Sequence, residues 1–80
     1  MRKARIRVDV GPGVFSSERS VSFNAGGILY AMFVDAADVS GNMLHVSVLG
    51  EVDGDVWVDL PRETVNAGRR VLLPKDCFVS

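Results

Sequence analysis

The sequence predicts an all-β protein: a small antiparallel barrel of five to six strands with at most short helical turns, forming a single barrel or sandwich domain over residues 1–80. Three observations predict it. Apolar and polar residues alternate with a period of two in most segments, the pattern of half-buried strands. Apolar residues nowhere recur at helical spacing for three turns. Clusters of Gly, Pro, Asn and Asp punctuate the chain often enough to leave only short strands between them, as small barrels and sandwiches require.

The first strand is carried by Ala4, Ile6, Val8 and Val10 alternating with Arg5, Arg7 and Asp9, and Gly11-Pro12-Gly13 ends it because proline cannot donate to a ladder. Val21 and Phe23 alternate with Ser20, Ser22 and Asn24 in the second. Asn24-Ala25-Gly26-Gly27 then supplies turn chemistry, and the apolar run Ile28–Val34 starts at once, which reads as a hairpin. Asp35–Asn42 is a loop whose first half suits a single helical turn. In the next strand Leu44, Val46 and Val48 share one face, while Met43, His45, Ser47 and Leu49 share the other. Asp53-Gly54 is a favoured hairpin pair, after which Val56, Val58 and Leu60 return on the core face with Trp57 and Asp59 opposite. Pro61–Thr64 reads as a tight turn, Val71–Leu73 as a short last strand stopped by Pro74, and Lys75–Ser80 as a turn or short tail.

Closure into a barrel is favoured because it pairs the edges that a small open sheet leaves exposed. The hairpin, brief turn and short strand at the end of the chain resemble the closing segment of an SH3-like barrel. That resemblance implies a fold and says little about activity.

Size sets a further constraint, since a core of 80 residues seldom supplies more than about 3–5 kcal/mol without staples. The single cysteine, Cys77, forms no internal disulfide, and one Cys with one His does not make a usual structural zinc set. Self-association is the staple left open. No continuous apolar run follows the basic residues near Met1, as a signal peptide demands. Ile28–Val34 is also far short of the roughly 20 residues of a membrane-spanning helix. The expectation is a cytoplasmic protein, consistent with a lone cysteine.

Catalytic machinery is hard to assemble from these residues. His45 lies mid-strand near Ser47, but nothing places a carboxylate behind it. Cys77, between Asp76 and Phe78, reads as a packing residue. Asp53-Gly54-Asp55 lacks the further ligands and closing Glu of a calcium loop. No enzyme activity, metal or cofactor is expected.

Two surfaces remain. Ile28–Val34 is apolar on both faces, and Trp57, Met43 and Leu49 oppose the core residues of their strands. Trp57, Met43, Leu49, Tyr30 and Met32 are therefore the candidate protein interface, a Trp- and Met-bearing patch of the kind found at interface centres. The second surface is basic. All nine Lys and Arg lie within residues 2–19 or 62–75, whereas Asp35, Asp38, Glu51, Asp53, Asp55 and Asp59 fall between them. If the first and last strands meet, Arg5, Arg7, Arg69 and Arg70 form a phosphate-tracking strip. A net charge of −1 and the lack of aromatics among the arginines weigh against it. The expected function is thus a non-catalytic protein-interaction or self-associating module. The alternative is a nucleic-acid binder using those four arginines.

Overall fold

Alternation in the first segment yields two strands rather than one, β1 (Arg2–Arg7) and β2 (Asp9–Pro12). They part at Val8, whose N–H donates to the Asn42 carbonyl at 2.9 Å. The structure is a computed structural model that describes residues 2–79. Met1 and Ser80, the outer ends of the alternating first segment and of the closing tail, lie outside the described residues. β3 (Glu18–Ala25) and β4 (Ile28–Asp35) form the expected hairpin. Its two loop residues, Gly26 and Gly27, have φ of 58° and 79°, the double positive φ that a type I′ turn demands.

A 3₁₀ turn at Ala36–Asp38 and the two-residue strand β5 (Val39–Ser40) lead into β6 (Met43–Val52). β7 (Asp55–Thr64) follows the Asp53-Gly54 turn, again with two positive φ values, 50° and 87°. β8 (Gly68–Pro74) and a second 3₁₀ turn, Lys75–Cys77, complete the described chain.

These strands make two antiparallel sheets. The large one has the order β1-β6-β7-β8 with β5 also paired to β6, and the small one the order β2-β3-β4. Each turns one face inward. Ile6, Leu44, Val46, Val48, Val56, Val58, Leu60, Val71 and Leu73 from the large sheet meet Val21, Phe23, Ala25, Tyr30, Met32 and Val34 from the small one in a single core cluster. The body measures 39 × 23 × 18 Å, a thickness that admits two sheets about 10 Å apart and nothing more. Phe23 and Tyr30 are cross-strand partners whose rings stack at 5.1 Å.

The fold departs from expectation in three places. First, the two sheets do not close into a barrel. Isolated bonds join them where a closed ring needs ladders: Val65 N–H donates to the Ala31 carbonyl (2.9 Å) and the Asn66 side-chain amide to the Leu29 carbonyl (3.0 Å). The Ile6–Phe78 bridge is likewise a single pairing, on β1. Second, Pro61–Thr64 is not a turn but the continuation of β7. The β7–β8 register shifts between Asp59 and Thr64, and Pro61 sits in this irregular stretch, where its missing N–H interrupts no regular ladder. Third, Tyr30 and Met32 belong to the core, at 6% and 4% exposure, because the period-two alternation of β4 turns Leu29, Ala31 and Phe33 outward instead.

Thr64 holds the end of β7. Its buried hydroxyl donates to the Gly68 carbonyl (2.7 Å) and accepts from Ala67 N–H (2.9 Å), so the loop that touches β4 is fixed from within. Among the described residues, no helix is long and apolar enough to cross a membrane.

Two substitutions test this frame by urea unfolding. Leu60→Ala, at a fully buried position, is expected to cost about 2–5 kcal/mol. Thr64→Val keeps the shape but removes the bonds to Ala67 and Gly68, two exposed residues that water can then serve, at an expected cost of about 0.5–1.5 kcal/mol.

Candidate functional site

With one face of each sheet committed to the core, the residues between the core positions must point outward. On the large sheet the ladder register arranges them in rows. Arg7 faces Met43 and Arg5 faces His45. Lys3, Ser47, Asp59 and Arg70 form the next row across all four strands. Beyond it lie Gly50, Trp57 and Leu72, with Leu49 beside them because the β6–β7 register shifts between Val48 and Gly50. Such a bulge sets two residues of one strand against one of its partner. Val52, Asp55 and Pro74 make the last row.

The result is an apolar cluster of Leu49, Val52, Trp57 and Leu72, each between 36% and 45% exposed. Trp57 and Leu49 stand where the sequence puts them. Met43 shares their face but not their patch: it lies six residues from Leu49 along β6, about 20 Å away, beside Arg7. Leu72 and Val52 were missed. The signal for Leu72 was present, since Val71 and Leu73 as core residues oblige Leu72 to face the other way. Val52 was hidden by the bulge.

The four arginines do not form one strip. Arg5 and Arg7 lie on β1 and Arg69 and Arg70 on β8, the two ends of the sheet order, with β6 and β7 between them. Three strand spacings amount to about 14 Å. Arg69 Nε pairs with Asp59 Oδ1 at 3.4 Å, and the Arg7 guanidinium donates to the Asp76 carbonyl at 2.8 Å. The expected meeting of first and last strands fails because it is the tail after β8, at Phe78, that reaches β1.

The outer face of the small sheet carries a second apolar area. Gly11, Ser20, Ser22 and Ala31 floor a shallow groove of about 360 Å³ edged by Phe33 and Val65. At Gly11 an added Cβ would stand 2.7 Å from Ser20 Oγ, so any larger residue there would have to turn the Ser20 hydroxyl aside.

The reactive side chains are dispersed. His45 Nε2 lies 3.0 Å from Ser40 Oγ, not from Ser47, and Arg5 is its cross-strand neighbour. Among the described residues no group of three His, Cys, Asp or Glu is placed to hold a metal ion. Burial pushes the Cys77 thiol above its ordinary pKa, Asp76 adds to the rise, and Arg7 opposes it. Comparison with known protein families, with curated proteins and with solved structures finds no match.

The charge balance at Cys77 gives a signed prediction. Alkylation by iodoacetamide at pH 8 should be slower than for a free thiol, because little thiolate forms. Asp76→Asn should accelerate it and Arg7→Ala should slow it further, as read by mass spectrometry of the native protein.

Proposed function

We propose that this chain is a non-catalytic protein-interaction module that docks through the outer face of the large sheet around Trp57. One observation carries the reading: Leu49, Val52, Trp57 and Leu72 form an exposed apolar cluster on adjoining rows, with Asp55 at one side and the row of Lys3, Asp59 and Arg70 at the other. An apolar centre holding a tryptophan, surrounded by a polar rim, is how binding energy is usually distributed at protein interfaces. Contacts to Trp57 supply the affinity, and the rim charges set approach and orientation.

The nucleic-acid alternative has less support. Its arginines stand on opposite ends of the sheet order, Arg69 is ion-paired, and the aromatic residue on this face sits among aliphatic side chains.

A photoreactive amino acid placed at position 57 or 72, with Val14 and Val65 as exposed apolar controls elsewhere, tests the reading in cells that make the protein. Light should yield a protein adduct of one discrete mass from 57 and 72 and none from 14 or 65. Equal labelling at the controls, or none at 57 and 72, overturns it.

A further inference from the structure

The charges on the two sides of the Trp57 row are opposite in sign. Toward the β6–β7 turn lie Asp55, in the row next to Trp57, and Asp53, in the turn itself. On the other side, one row away, lie Arg70 and Lys3. The acid within that basic row, Asp59, is already neutralised by Arg69 of its own chain, with its side chain only 20% exposed. Glu51, whose ladder partner is the core residue Val56, lies on the opposite face of the sheet and pairs there with Lys75 at 3.3 Å.

A face with this order (acidic, apolar, basic) is complementary to itself. Isologous interfaces demand that property, because each surface patch must fit a copy of the same face. Consider a two-fold axis lying in the face, across the strands and through the Trp57 row. Rotation about it brings a second copy onto the first with the order of rows reversed. Trp57, Leu72 and Leu49 then meet their own counterparts. The Asp55 row of each copy lies over the Arg70 row of the other, since rows are spaced about 7 Å on either side of the axis, and on β7 itself Asp55 falls over Asp59, which Arg69 already neutralises. Asp55 is on β7 and Arg70 on β8, so the lateral offset between them is one strand spacing, about 5 Å, within the reach of an arginine side chain.

Resting on the reading of the Trp57 face as a docking surface, we infer that its partner is a second copy of this chain, in a two-fold dimer with Asp55 of each copy paired to Arg70 of the other. A net charge of −1 leaves little overall repulsion between copies. With one cysteine in the sequence no internal disulfide staples the thin core, and a second copy adds buried contact in its place.

Sedimentation of the full chain tests the geometry. The wild type is expected to dimerise, and Trp57→Asp and Leu72→Arg to sediment as folded monomers, with circular dichroism verifying the fold. Asp55→Arg alone and Arg70→Glu alone should each weaken association by about tenfold or more, because like charges then face each other at both symmetric sites. An equimolar mixture of these two variants should recover it, since the mixed dimer has opposite charges at both sites. A monomeric wild type at high concentration, or a mixture no stronger than its components, overturns the inference. If the wild type is monomeric while positions 57 and 72 still give an adduct of another mass, only the second copy is wrong. If they give no adduct, the docking reading falls with it.

Discussion

Everything in this molecule depends on two narrow sheets burying one shared apolar layer. Neither sheet has material for a second core: the small one contributes three strands and the large one five, one of them two residues long. Leu44, Leu60, Leu73, Val58 and Ile6 of the large sheet are fully buried only because Val21, Val34 and Met32 close over them from the small one. Connections between the sheets are few, so packing holds them together more than hydrogen bonding does. The exceptions concentrate where β7 ends: Val65 and Asn66 each bond to β4, and the Thr64 hydroxyl braces the loop that carries them.

That commitment decides the surface. Once Val56, Val58 and Leu60 must face inward, Trp57 and Asp59 have no choice of side, and the register of β8 then sets Leu72 beside Trp57 and Arg70 beside Asp59. The apolar patch is therefore the reverse side of the core pattern, and a one-residue slip in either strand would destroy both together. The bulge at Leu49–Gly50 extends the patch, adding Leu49 to the Trp57 row.

Surface charge contributes orientation more than stability. The ion pairs Arg62–Asp35, Arg69–Asp59 and Lys75–Glu51 span 3.3–3.5 Å and mostly involve half-exposed side chains, a class worth about 0–1 kcal/mol each. One of them still matters to the proposed interface, because Arg69 neutralises Asp59 and leaves Asp55 and Arg70 as the opposed charges beside the Trp57 row.

Strand faces, both glycine-bearing hairpins and the 3₁₀ turn after β4 were legible in the sequence, because alternation and turn chemistry act between residues close in the chain. So were the positions of Trp57 and Leu49. Tyr30 and Met32 were misplaced because a run apolar on both faces does not say which face meets the core; the neighbouring β3 decided it, by pairing Phe23 with Tyr30 and Val21 with Met32. Strand order was equally invisible. Whether Arg5 lies beside Arg70 depends on which edges pair, and that is settled by packing between residues tens of positions apart. By itself, then, the sequence determined which residues alternate and where the chain reverses. Only the tertiary structure decided which outward residues share a row, because a row is built from four strands and no local periodicity reaches across them.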